Sequence, residues 1–266
     1  MKILSTQQVR VALLATAGVV VETGGTRIMI DGLFTQDGHP FSVVPQPLYD
    51  ALISGLEPLG PVHHLLFTHL HPDHFDCTET IAYLSHNTVQ NVLLPVDTSK
   101  EKMRQNGLRL QYWMQAHTVP FQLMDLPAGG HAMYTLDDKI SVTAFNTMHM
   151  GPQYGQVNNY CLLLHLHGKT LLFTGDAEFF NDAFVEALSG YEIDTVFINP
   201  LFYQDPRGRA ILDTVIRPKR AVLYHIPFEH NDTLMMRPMV KWLIKKHKDS
   251  PYEVLALTEP DQEIFL

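Results

Sequence analysis

The amino-acid sequence predicts an α/β fold in which two sheets pack face to face with helices on their outer sides. Three observations predict it. Clusters of short apolar runs give way to runs that alternate with helical patterns. That progression occurs in two comparable halves, about residues 1–135 and 136–266, with no linker, low-complexity tract or short-period repeat. The 266 residues are 45% hydrophobic, which is enough to bury the core of a single large domain built from those halves.

Residues 11–21 form one apolar run, which continues through Gly24-Gly25 into Arg27-Ile28-Met29-Ile30-Asp31. A hairpin with a Gly-Gly turn is the expectation. Lys2 and Arg10 ahead of the run imitate a secretory leader. However, Ala15-Thr16-Ala17 falls inside the run, not after it, and the run is too short to span a bilayer. A Pro- and Gly-bearing loop then leads through residue 47 to a short helix over residues 48–56. Leu65-Leu66-Phe67-Thr68 reads as a buried strand. Asp76 is the expected N-cap of the next helix, with Glu79 in the capping-box position and Pro72 stopping any earlier start. Residues 92–95 are a strand, and residues 98–106 a helix closed by Gly107. Residues 121–124 and 131–134 read as strands joined by a Pro-Ala-Gly-Gly turn, and residues 140–145 as the strand after them.

The second half starts with a hairpin over residues 160–176 that turns at His167-Gly168-Lys169. Residues 181–189 form a helix with Asp182 and Glu186 on its wet side. Residues 194–199 are a strand, 210–216 a helix and 221–225 a strand. Residues 233–246 form an amphipathic helix, and residues 253–258 and 263–266 close the chain as strands.

The formal charge of −9 excludes a protein that holds nucleic acid by broad electrostatics. The single basic run, Lys245-Lys246-His247-Lys248, ends a helix, where cations suit the helix dipole and solvent. The two cysteines, Cys77 and Cys161, supply neither a disulfide framework nor a paired-cysteine metal site. A reducing cytoplasm is the expected compartment.

The chemistry concentrates in Thr68-His69-Leu70-His71-Pro72-Asp73-His74-Phe75-Asp76, on the loop between a strand end and a helix start. In an extended segment residues i and i+2 share a face, so His69 and His71 can grip one ion. Asp73 and His74, past the proline bend, can serve a second. A chance cluster in a chain with 15 histidines would not add an aspartate at that place between strand and helix signals. Three more donors follow apolar strands: His149, Asp176 and His225. Strand ends give the rigid support that metal chemistry needs. The tally suits two ions, with three histidines on one, Asp73, His74 and His225 on the other, and Asp176 between them. Histidine with carboxylate favours zinc, or manganese and iron as oxygen donors increase.

The ordered series Asp31, His69-x-His71-x-Asp73-His74, His149, Asp176 and His225 resembles the metallo-β-lactamase-fold hydrolases, over about three quarters of the chain. The resemblance implies a four-layer αββα sandwich with a two-metal site at the edge of the sheets. It implies His69, His71 and His149 on the first metal, Asp73, His74 and His225 on the second, and Asp176 as the bridge. Asp31 would be a supporting carboxylate that orients a ligand histidine. Many members, such as the ribonuclease Z and glyoxalase II types, have glycine where this chain has Asp76. His-x-His-x-Asp-His-x-Asp looks more like the branch holding L-ascorbate-6-phosphate lactonase and N-acyl-phosphatidylethanolamine phospholipase D. Flavodiiron members carry Glu at the position of His71, so redox chemistry is disfavoured.

The expected function is hydrolysis of a lactone, ester or phosphodiester of a small soluble substrate by a hydroxide that bridges two divalent ions. Asp73 would also orient that hydroxide or carry a proton. A phosphodiesterase or phospholipase D-like enzyme is the runner-up, and a non-catalytic metal sensor the reading from another class. His230 could reach a leaving group. Gln153, Tyr154 and Tyr203 read as packing or rim, and His165 with His167 as a decoy pair on a hairpin.

Overall fold

The computed structural model describes residues 8–34, 40–57, 59–179 and 182–266. Lys2, Asn181 and part of the loop before residue 47 lie outside the described residues. The chain divides into two units, Met1–Asp125 with Glu259–Leu266, and Leu126–Thr258. Each unit holds one mixed seven-stranded sheet flanked by helices, the α/β arrangement that the sequence predicts. Among the described residues no helix is long and apolar enough to cross a membrane.

In the first unit the opening apolar run is two strands, where the sequence suggested one. They are β1 (Val9–Leu13) and β2 (Val19–Thr23), which pair with each other, and β2 pairs with β3 (Thr26–Ile30) across the Gly24-Gly25 turn. The break is a tight loop in which Leu14 N donates to Gly18 O at 2.8 Å. A Cβ on Gly18 would lie 2.7 Å from Gly32 Cα, so only glycine allows this approach.

After α1 (Gln46–Ser54) come β4 (His64–Leu66), α2 (Cys77–His86), β5 (Asn91–Pro95), α3 (Glu101–Ala116) and β6 (Phe121–Met124). Strands β3, β4, β5 and β6 are parallel, so their C-terminal ends share one edge. Asp76 caps α2 as expected, accepting from Thr78 N (2.8 Å) and Glu79 N (3.2 Å). The capping box does not close. Asp76 N donates to Leu33 O, and the Glu79 carboxylate instead accepts from the Tyr49 hydroxyl of α1. Gly107 does not end a helix either. It lies buried within α3, where a Cβ would come 3.2 Å from Leu70 Cδ1, so its bareness lets α3 approach the histidine loop.

The second unit contains β7 (His131–Thr135), β8 (Ile140–Asn146), β9 (Tyr160–Leu166), β10 (Lys169–Phe173), α4 (Ala183–Ala187), β11 (Thr195–Ile198), α5 (Pro200–Gln204), α6 (Pro206–Ile211), β12 (Arg220–Leu223), α7 (Met236–Lys246) and β13 (Glu253–Ala256). The last strand, β14 (Glu263–Phe265), returns to the first unit beside β1. The expected turn between residues 124 and 131 makes no hairpin. β6 pairs with β5 in the first sheet and β7 with β8 in the second, so residues 125–130 are a connection. The β9–β10 hairpin is as predicted, with positive φ at both His167 (43°) and Gly168 (85°), the turn that matches strand twist. β8 and β10 are each antiparallel to β9, and β10, β11, β12 and β13 are parallel. The C-terminal ends of β8, β10, β11 and β12 therefore meet at one edge.

The helix expected over residues 210–216 starts earlier and is broken. Asn199 caps α5 by accepting from Leu201 N at 2.9 Å, α6 follows directly, and residues 212–216 complete it as a π-helical turn. Gly208 makes the α5–α6 corner possible, since its Cβ would lie 2.0 Å from Phe202 O. Gly208→Ala is expected to cost about 1–3 kcal/mol through overpacking, read as a lower urea midpoint at unchanged slope. An unmoved midpoint would show that the corner parts freely.

Candidate metal centre

In the first unit the donors are held by the loops that follow β3 and β4. Asp31 is fully buried at a φ of 50°, which aspartate tolerates better than most residues. Its Oδ1 accepts from Thr68 N at 2.8 Å. Its Oδ2 accepts from Thr68 Oγ1 at 2.6 Å and lies 2.9 Å from His74 Nδ1. An ionised carboxylate only accepts, so His74 Nδ1 carries the proton and its Nε2 presents a lone pair. The Thr68 hydroxyl, with its proton given to Asp31, accepts from His69 Nδ1 at 3.1 Å. That leaves His69 Nε2 as a second fixed lone pair.

The proline bend separates the next donors. His74 N and Phe75 N both donate to His71 O, at 3.0 and 2.9 Å, and close a turn. Phe75 anchors it by packing edge-on against Phe67 at 5.1 Å and by bridging to Leu33. The His69 and His71 rings stand edge to face with centroids 4.8 Å apart, and Asp73 Oδ2 lies 3.9 Å from His74 Nε2. The ligand atoms of His69 and His71 fall within 4.8 Å of each other, as do those of Asp73 and His74. Cys77 begins α2, and burial pushes its thiol up.

In the second unit His149 follows β8, Asp176 follows β10 and His225 follows β12. Met150 O accepts from His149 Nδ1 at 2.7 Å, which again leaves Nε2 as the bare nitrogen. That Nε2 lies 3.4 Å from Asp176 Oδ2, while His225 Nε2 lies 3.6 Å from Asp176 Oδ1. Asp176 thus turns one oxygen toward each histidine. Its backbone N donates to Asn159 Oδ1 at 2.9 Å, and Asn199 Nδ2 donates to its Oδ1 at 2.8 Å. Met148 (φ 57°) and His225 (φ 62°) are left-handed, a conformation that costs non-glycine residues about 1–3 kcal/mol each. With Asp31, such strain falls on the ligand-bearing loops of both units.

Other candidates separate from this group. His230 is exposed on a short 3-10 turn, Glu229–Asn231, and is in neither donor group of the described residues. The Tyr154 ring packs edge-on against His149 at 4.9 Å. Tyr203 is buried, with its hydroxyl 3.3 Å from Ser250 Oγ, and is packing. His165 bonds Thr143 Oγ1 at 3.0 Å on its hairpin and belongs to neither donor group. Sequence reasoning missed Thr68, Asn159 and Asn199. Asn199 carried a usable signal, because it is a polar residue at the C-terminal end of an apolar strand, the rule that found Asp176 and His225.

A family model described as a beta-lactamase superfamily domain matches residues 26–236. No curated protein matches the chain in sequence. The fold resembles Igni18, a novel metallo hydrolase from Ignicoccus hospitalis, at 14% identity over 98% of this chain and 99% of that one, with a TM-score of 0.66. It also resembles the metallo-beta-lactamase fold protein YhfI from Bacillus subtilis, at 14% identity over 98% and 100%, with a TM-score of 0.60. CmlA, a diiron beta-hydroxylase from Streptomyces venezuelae, matches at 17% identity and a TM-score of 0.63 over 99% of this chain; the chain spans about half (54%) of CmlA. At these identities the likeness shows the fold, the metallo-β-lactamase fold that the histidine block implied.

Proposed function

The chain belongs to the beta-lactamase superfamily domain family, and from that premise we propose that it is a dinuclear metal-dependent hydrolase of a small soluble lactone, ester or phosphodiester. Within the family we place it in the lactonase-like branch marked by His-x-His-x-Asp-His-x-Asp. In this reading His69, His71 and His149 would hold one ion, Asp73, His74 and His225 the other, and Asp176 would serve both. Within the first unit the donor atoms of His69 and His71 lie within 4.8 Å of each other, as do those of Asp73 and His74, which supports the pairing. The observation that carries most weight is Asp176, whose two oxygens face different histidines.

The donor chemistry fits such a pair of ions. His69, His74 and His149 each have Nδ1 engaged by an oxygen, which fixes the tautomer and aims Nε2 as ligand. Imidazole and carboxylate without thiolate suit zinc, with manganese or iron as alternatives. When bound, two divalent ions supply Lewis-acid charge and acidify water toward neutral pH. Asp73 is the proton carrier in this scheme. Its carboxylate accepts a proton from the attacking water and returns it to the leaving group. Asp31 and Thr68 keep His69 and His74 from turning, so the ligands are ordered before substrate arrives.

Asn199 positions Asp176 and should therefore matter without touching substrate. Asn199→Ala is expected to weaken metal binding by about 10–100-fold, measured by competition with a chromogenic chelator. Unchanged affinity would make the 2.8 Å bond merely structural. The function itself is tested with a chromogenic phosphodiester, a carboxylic ester and a lactone, using zinc- and manganese-loaded protein with His71→Ala as blank. Turnover that vanishes in the blank supports the reading and picks the bond class. No turnover on any of the three, with two ions bound per chain, would overturn it in favour of a metal sensor.

A further inference from the structure

We propose that the outer face of α7 docks reversibly on an anionic lipid surface. The inner face of this helix, Met236, Val240 and Leu243, is buried in the second unit. Its outer side is not the purely polar surface that a solvated helix presents. Leu234 and Met235, just before the helix, and Trp242 within it are 52%, 64% and 54% exposed. Pro238 and Trp242, four residues apart within the helix, share one exposed face, and Leu234 and Met235 lie just before its first turn. Arg237, Lys241, Lys245, Lys246 and Lys248 belong to the same segment, and no acidic residue occurs from Met236 to Lys248.

Solvation and the helix dipole account for Lys245 and Lys246 in the last turn. They do not account for an indole, a thioether and a leucine left in water beside them. A lipid surface accounts for both. Trp with its apolar body and polar N–H suits the headgroup boundary, and lysines run their stems along apolar surface while the ammonium meets lipid phosphate. Lys246 Nζ already lies over the Trp242 ring at 4.5 Å, showing that stem and indole share this surface. The charge selects the partner. A two-fold contact with a second copy would bring these lysines against the same lysines, which is repulsive. The chain's overall −9 does not prevent docking, because charges beyond about 8 Å are screened at physiological salt.

The chain has two tryptophans, so Trp113→Phe leaves Trp242 as the sole indole reporter. Full-length Trp113→Phe protein is titrated with vesicles of phosphatidylcholine alone or mixed with phosphatidylserine. A blue-shifted emission and co-sedimentation are expected only with phosphatidylserine, reversed by high salt. Lys245→Ala with Lys246→Ala should weaken binding roughly 25-fold, about fivefold for each lysine. Trp242→Ala, read by sedimentation, should bind more weakly while its metal content stays that of the wild type. Absence of phosphatidylserine-dependent sedimentation would overturn the proposal. So would a blue shift that follows protein concentration without lipid, which would assign the face to a second copy. Neither result would bear on the metal centre.

Discussion

Asp176→Ala is expected to lower metal-dependent turnover roughly 10³-fold or more. This exceeds the 10–100-fold that loss of a supporting hydrogen bond costs, because in the proposed centre Asp176 would be a direct donor to both ions. Oδ2 faces His149 at 3.4 Å and Oδ1 faces His225 at 3.6 Å, so one side chain supplies both oxygens. The variant also removes the acceptor of the Asn199 amide, which is buried at the end of β11. Asp176→Asn makes a sharper companion. It keeps the volume but turns an amide N–H toward one histidine, so one ion should be retained better than the other. Initial rates across a zinc titration measure both variants. Near wild-type rates in Asp176→Ala would show that the bridge is misassigned.

Asp31→Ala is expected to produce the largest loss of stability, about 3–5 kcal/mol. Three buried donors, Thr68 N, Thr68 Oγ1 and His74 Nδ1, lose their common acceptor, and each lost acceptor costs on the order of 1–3 kcal/mol before relaxation. Alanine at a φ of 50° adds strain that aspartate bears better. A metal affinity 10–100-fold lower should accompany it, since His74 loses the partner that fixes its tautomer. Asp31→Asn should fall between, with an acceptor kept for Thr68 but an amide able to meet His74 Nδ1–H donor to donor. Urea denaturation of metal-free protein separates the stability effect from the binding effect. If the metal-free midpoint were unchanged, Asp31 would act on the metal alone.

What could be read from sequence here was local, and what could not was contact. The His69–His74 block lay between a strand signal and an N-cap signal, and both were real. His149, Asp176 and His225 were legible because each follows an apolar strand, and the parallel strands then bring the ends of β8, β10 and β12 to one edge. Glycine was the main source of error. Gly107 has the composition of a helix stop, yet it is buried mid-helix against Leu70, and Gly18 splits a run that looked continuous. Sequence spacing does not distinguish a glycine that ends an element from one that admits a neighbour. Residues 121–124 and 131–134 looked like a hairpin because they are adjacent and apolar, but sheet membership depends on partners far along the chain. Asp76 has its own explanation as the α2 cap, so its value as a branch marker rests on the motif and not on chemistry.

The most direct measurement is the metal content of zinc-loaded wild-type protein and Asp176→Ala, by elemental analysis after gel filtration. Two ions per chain in the wild type, falling to one or fewer in the variant, is the predicted result. A wild type with one ion or none, or a variant that still carries two, would contradict the dinuclear centre.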